Sequence, residues 1–140
     1  MDRTLILVKP DAFARGLTGE ILARFERKGL KLVALRHMTV TRELAERHYA
    51  EHAERPFFGE LVQFMTRSPV VLVVLERDNA VVAWRDLMGA TDPAKAAPKT
   101  IRKDFGANVG ENATHGSDSL DNAKGEIAYF FPRAEVSPSA

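Results

Sequence analysis

Val70–Leu75 is a run of six consecutive apolar residues, Val-Val-Leu-Val-Val-Leu. A stretch so short and uniform reads as a buried strand, the strongest in the chain and the expected centre of its sheet. The remaining elements are read around it, and their periods alternate between strand and helix. Thr4–Val8 is a second apolar run, ended by the turn signal Lys9-Pro10-Asp11. Thr18 is placed to cap a helix through Lys28, with Ile21, Leu22 and Phe25 on one face and Gly29 as its stop. Leu30–Val40 alternates as a strand, with Leu32, Ala34 and Met38 on one side and Val33 and Leu35 on the other. Thr41 opens a helix over Arg42–His52; Pro56 begins another, on which Phe57, Leu61 and Phe64 follow at helical spacing. After the central strand, Asp78 caps a helix through Met88. A short helical turn is expected at Thr100–Phe105, a short strand at Asn112–His115, and a last helix at Ser119–Phe131 with Ile127, Phe130 and Phe131 inward. The order β-α-β-(α-α)-β-α-β is that of an α/β (α+β) fold, a ferredoxin-like βαββαβ sandwich with an antiparallel four-stranded sheet and extra helices.

The 140 residues contain no internal repeat or linker, so residues 1–140 are expected to form one domain, with residues 136–140 as a flexible C-terminal arm. Twenty basic residues nearly balance 19 acidic ones, which leaves no global field to draw the chain to nucleic acid or a membrane. Any anion site must therefore be local. Residues 1–9 hold only the apolar run Leu5–Val8, too brief for a signal-peptide core or a membrane span. The absence of cysteine excludes disulfides, thiolate metal sites and thiol catalysis, and cytoplasmic residence is expected.

The segment richest in chemistry is Asn112-Ala-Thr-His115-Gly-Ser-Asp-Ser119. An imidazole has a lone pair near neutral pH and can be a nucleophile, a base or a metal ligand. Ser117 and Asp118 can hold neighbouring groups, and Gly116 would let backbone approach a bulky anion. Taken alone, the same residues also describe a surface turn. Phosphate-compatible groups recur elsewhere, at Lys9, Arg55, Arg85, Thr91, Arg102 and Asn112, each of which also reads as a solvated charge or cap. There is no G-x-x-x-x-G-K-[ST] and no dinucleotide fingerprint, and four histidines without cysteine or H-E-x-x-H argue against a protein-held metal. If phosphate is handled, side chains must do it.

These segments resemble those of the nucleoside diphosphate kinase family. The resemblance runs from Arg3 to about Pro132 and is carried by five motifs in order. They are Thr4–Asp11, His48–Phe58, Met88–Pro93, Thr100–Phe105 and the Asn112–Ser119 octapeptide. It implies ping-pong transfer of the γ-phosphate between nucleoside tri- and diphosphates, ribo and deoxy, through a phosphohistidine at His115. Glu126 would hold the far nitrogen of that imidazole, with Ser117 in support and Tyr49 beside the ring. Arg85, Arg102, Thr91 and His52 would hold phosphate oxygens, with Arg55 close by. Lys9 and Asn112 would hold the ribose hydroxyls, and the base would lie between Phe57 and Val109. The cofactor would be Mg²⁺ carried by the nucleotide phosphates, with no metal bound by the protein alone.

Lys99 stands where the resembled family usually has a glycine, and it predicts a shifted or strained loop before Arg102. Lys103 follows that turn where a small residue is common. Thr114 takes an apolar position, where a buried hydroxyl would need a partner. His37 has no motif role and is read as an edge or sheet-face residue, and His48 is read as structural. Two other classes are weighed. An RNA-binding sandwich would need aromatics on adjacent strands, and Thr4–Val8 and Val70–Leu75 have none. A scaffold or regulator without turnover would have lost His115, Lys9 or Asn112, and all three are present. No membrane or specific nucleic-acid partner is expected. The apolar residues Leu17, Ile21, Leu32, Val33, Leu35 and Met38 favour a homo-oligomer built on an isologous dimer, on the expectation that helices cover one sheet face and leave the other face, or an edge, to be hidden. By the resemblance such dimers combine into tetramers or hexamers through the Thr91–Lys103 loop and the C-terminal arm.

Overall fold

The computed structural model describes residues 2–50, 53–108, 111–131 and 136. Its sheet has four antiparallel strands, β1 (Asp2–Val8), β2 (Lys31–Met38), β3 (Val70–Arg77) and β4 (Thr114–Gly116), in the order β2-β3-β1-β4. That is the ferredoxin-like order, and the apolar run Val70–Leu75 is central as expected. Helices α1 (Pro10–Ala14), α2 (Thr18–Arg27), α3 (Arg42–His48), α4 (Phe58–Thr66), α5 (Ala80–Met88), α6 (Ile101–Phe105) and α7 (Leu120–Phe130) surround it.

Period-two alternation in β1 and β3 divides the core in two. Ile6, Val8, Val71, Val73 and Leu75 meet Ile21 and Phe25 of α2 and Trp84 and Met88 of α5. Leu5, Leu7, Val70, Leu72 and Val74 meet Ala45 of α3, Val62 and Met65 of α4, and Phe130 and Phe131 at the end of α7. Both faces of the sheet are therefore covered, so of the two expected places, the other face or an edge, it is an edge that is left. Ile21 and Val33 are core, and the exposed large apolar side chains on β2 are Leu32 (39 %) and Leu35 (47 %). Since β2 is an edge strand, these two exposed side chains lie at a sheet edge, and His37 lies there too.

Several element boundaries differ from the sequence reading for local reasons. Lys9-Pro10-Asp11 is the start of α1, because Pro10 at the first helical position needs no N–H partner. Leu17 precedes α2, while Thr18 sits inside it, its buried hydroxyl without a partner among the described residues. Asn79, in left-handed conformation at φ 56°, precedes α5 in place of Asp78. A register shift between Leu32 and Ala34 breaks the alternation of β2, so Val33 and Ala34 are buried in succession. Helix α3 ends at His48, and α4 turns Val62 and Met65 inward, leaving Leu61 and Phe64 half-buried and Phe57 exposed. Thr41, Thr100 and Ser119 each cap the helix that follows, accepting from the N–H of Leu44, Lys103 and Asn122. Of the expected arm, Val136 packs half-buried against the second cluster, and residues 137–140 lie outside the described residues.

Candidate active site

The pairing of β4 with β1 fixes where the histidine points. His115 lies opposite Leu7, so it shares the face that α3 and α7 cover, while Thr114 and Gly116 lie opposite Val8 and Ile6. On that other face a Cβ on Gly116 would sit 2.3 Å from the Trp84 ring. Gly116 is thus required by close packing of an indole, a different reason from the anion approach expected of it.

The backbone entering β4 is strained. Ala113, fully buried, has φ 73°, and the N–H of Thr114 donates to the carbonyl of Asn112 at 2.9 Å, a γ-turn of the strained hand. Two bonds hold it there: Ala113 N–H donates to Asp11 Oδ2 (3.0 Å), and Lys9 N–H donates to the Ala113 carbonyl (2.9 Å). Burial raises the Asp11 carboxyl above its usual range against the opposing Ala113 bond and Lys9 charge. Asp11 is a site residue that sequence reasoning quoted in a motif but gave no role.

His115 Nε2 lies 3.0 Å from Glu126 Oε2 on α7. With the carboxylate accepting, Nε2 carries the proton and Nδ1 keeps the lone pair. The ring retains 24 % exposure toward the cleft. Burial of the ring, then the charge of Lys9, opposed by Asp118, with Arg102 and Arg85 adding, lowers its pKa to about 3. The imidazole is neutral at physiological pH. Burial raises Glu126, against the proximity of His48 and a hydrogen bond from Ser117. Ser117 is itself fully buried, its hydroxyl 3.4 Å from the Leu5 carbonyl.

A cleft of about 620 Å³ opens in front of this ring. Lys9, Tyr49, Phe57, Arg85, Thr91, Arg102, Asn112 and Glu126 all line it, so the structure gathers most of the expected residues around His115. Lys9 Nζ donates to Asn112 Oδ1 at 2.8 Å, and Asn112 Nδ2 to the Thr91 carbonyl at 3.0 Å. Burial and the Arg102 charge, offset by Asp11, bring the Lys9 ammonium down to about 8. Arg102 donates to the carbonyls of Thr114 (2.9 Å) and Gly89 (3.3 Å), and burial lowers it to about 10 with Arg85 adding and Asp118 opposing. Arg85 pairs with Asp118 at 2.7 Å. Burial raises the Tyr49 phenol, which stays protonated.

Arg55 does not line the cleft; it is exposed, its guanidinium 5.9 Å from the Phe57 ring. His52 and Val109 lie outside the described residues. His48, read as structural, is brought into the site: its ring stands 4.6 Å from that of His115. No spacing in the sequence could have paired residues 67 positions apart on different elements. Lys99 adopts φ 71°, the left-handed conformation expected to strain the loop before Arg102. The Thr114 hydroxyl is buried without a partner among the described residues.

A ferredoxin-like sheet carrying a neutral, carboxylate-held imidazole beside buried cations in an open cleft defines a class of site, one suited to binding an anionic group such as phosphate next to a nucleophilic nitrogen. Residues 2–136 match the family described as Nucleoside diphosphate kinase. The chain is 57 % identical to the nucleoside diphosphate kinase of Deinococcus radiodurans, over 97 % of this chain and 99 % of that one. It is 59 % identical to that of Rhodospirillum centenum, over 97 % of each. Among solved structures, the Halobacterium salinarum nucleoside diphosphate kinase in complex with CDP superimposes with a TM-score of 0.95 at 48 % identity, covering 99 % of this chain and 93 % of that one. The Aquifex aeolicus enzyme does so at 0.93 and 46 %, covering 96 % and 98 %. The chain belongs to the nucleoside diphosphate kinase family and has that phosphotransferase activity. Enzymes of the family need a divalent cation. Among the described residues no helix is long and apolar enough to cross a membrane.

Proposed function

We propose that this chain moves the γ-phosphate by a ping-pong route in which His115 Nδ1 is the nucleophile. The hydrogen bond between His115 Nε2 and Glu126 is the single observation that carries the reading, because it leaves the lone pair on Nδ1. That lone pair attacks the γ-phosphorus, the bond from phosphorus to the bridging oxygen breaks, and the nucleoside diphosphate departs with the electron pair. The proton on Nε2 stays against Glu126, which offsets the positive charge that phosphorylation puts on the ring. A second nucleoside diphosphate then attacks the phosphorus in the reverse sense.

The other roles follow from chemistry. Arg85 and Arg102 suit a phosphoryl group whose charge is spread over three oxygens, and Thr91 adds a hydroxyl. Lys9 and Asn112, already bonded to each other, suit the sugar hydroxyls. Phe57, 41 % exposed at the mouth of the cleft, offers a face for any base. The carboxylates lining the cleft are Asp118, Asp121 and Glu126, and with two of the three engaged by other side chains they fit a metal brought by the substrate better than one held by the protein alone. Asp118 is taken by Arg85 and Glu126 by His115, so Mg²⁺ would sit on the nucleotide phosphates and water, where it neutralises phosphate charge. A scaffold without turnover is disfavoured by the presence of Lys9, Asn112 and His115 in one cleft.

We further place the protein in the cytoplasm, which a chain without cysteine suits, and as a homo-oligomer that covers Leu32 and Leu35 on the β2 edge. Light scattering giving one-subunit mass would refute the oligomer. His115→Ala tests the reading as a whole. It should fold and lose nucleotide exchange, and retention of more than a few per cent of wild-type turnover would overturn the nucleophile.

A further inference from the structure

One hydrogen bond fixes a point on an imidazole and leaves its plane free. The lone pair of Nδ1 lies in that plane, so in-line attack on phosphorus needs the plane fixed as well. Glu126 supplies the point through Nε2. The group positioned to fix the plane is the imidazole of His48, the last residue of α3. Its ring stands 4.6 Å from that of His115 at 81°, a T-shaped contact that blocks rotation of the His115 ring about its bond to Glu126. His48 is itself immobilised. Its side chain is 4 % exposed, and its Nδ1 is 3.0 Å from the hydroxyl of Tyr129 and 3.8 Å from Glu126 Oε2. Phe130 and Tyr49 flank the ring at 5.7 and 4.9 Å. Tyr129 is held in turn by the Arg47 guanidinium, 4.8 Å over its ring. Glu126 and Tyr129 lie three residues apart on α7, so one helical face carries the bond that locates His115 and the bond that locates His48.

We propose that His48 is a positioning residue for phosphoryl transfer: its ring sets the plane, and so the aim, of the His115 nucleophile. The inference rests on His115 being that nucleophile. It adds a residue for which neither motif nor spacing gave a role.

The test compares His48→Ala, which removes the wall, with His48→Phe, which keeps a flat ring and removes the bond to Tyr129. His48→Ala should lower kcat by about ten- to a hundredfold, the range of misaimed groups, with KM for nucleoside diphosphate unchanged. His48→Phe should recover to within a few-fold of wild type. Nitrogen-15 spectra of His115 should show the Nε2–H tautomer in wild type and in both variants, because the bond to Glu126 that sets it is kept. If His48→Ala does not fold, His48→Leu, similar in volume and without a flat face, carries the same expectation. A kcat within twofold of wild type in His48→Ala, a loss confined to KM, or a change of the His115 tautomer there would overturn the proposal. His115→Ala separates the two readings. Retained exchange there removes the nucleophile itself, whereas lost exchange beside a fully active His48→Ala removes only the positioning role.

Discussion

Thr114→Val should stabilise the protein without changing its turnover. Thr114 is fully buried on β4, and its hydroxyl has no hydrogen-bond partner among the described residues. A buried hydroxyl without a partner costs about 1–3 kcal/mol relative to hydration. Valine has nearly the same shape, so the swap adds no void, and the new methyl contributes roughly 0.8 kcal/mol of transfer free energy. Part of the gain is lost if neighbours have already relaxed around the oxygen, which sets the expectation at about 1–2 kcal/mol. For a chain of this size that is a rise of roughly 3–6 °C in Tm. The backbone carbonyl of Thr114, which accepts from Arg102 at 2.9 Å, is untouched, so kcat should stay within twofold. Urea denaturation and calorimetry at one fixed protein concentration measure this, since assembly would make Tm concentration-dependent. A valine variant less stable than wild type by more than about 0.5 kcal/mol would show that the hydroxyl is satisfied, and the argument from its burial would fail.

Lys99→Gly should stabilise by about 0.5–1 kcal/mol, because relief of the left-handed backbone exceeds the added chain entropy; equal or lower stability in urea would refute the strain. Activity should have a basic limb near pH 8. Lys9 titrates at about 8 in the fold, so kcat/KM falls as its proton is lost, and a profile flat to pH 10 would contradict the role given to its charge. Because that value is below the ordinary 10.5, the unfolded chain holds the proton longer, and stability should rise between pH 8 and 10.5 in wild type. Lys9→Met should lack that rise. Exchange should proceed with ATP, GTP, CTP, UTP and their deoxy forms, because Phe57 offers a face and no hydrogen-bond code. A preference in kcat/KM above about a hundredfold for one base would reveal a group reading its edge.

What the sequence displayed was governed by local physics. The run Val70–Leu75, the start of a helix at Thr41 and the strand-helix alternation were each legible from neighbours in the chain, and together they point to the ferredoxin-like fold, whereas the caps read at Thr18 and Asp78 fall one residue off. The cleft was legible because its residues sit in motifs, and Lys99 and Thr114 were legible as local conflicts. Features set by tertiary contact were not. The shift at Leu32/Ala34 depends on β3, so strict alternation misplaced Leu32. The inward face of α4 depends on which side meets the sheet, so Phe57, Leu61 and Phe64 fitted a periodicity whose buried stripe is Val62 and Met65. Gly116 is demanded by Trp84, 32 residues away, and the strain at Ala113 is held by Asp11, 102 residues away. His48 meets His115 only once α3 and α7 share a sheet face.

The central claim, covalent transfer through His115, is tested most directly by the phosphoenzyme. Protein mixed with γ-labelled ATP and Mg²⁺, then freed of nucleotide, should carry label that is acid-labile and alkali-stable, approaching one per chain. Added unlabelled nucleoside diphosphate should take up all of it as triphosphate, and His115→Ala should carry none. Exchange at full rate with no label on the protein, or label that persists in His115→Ala, would contradict the account.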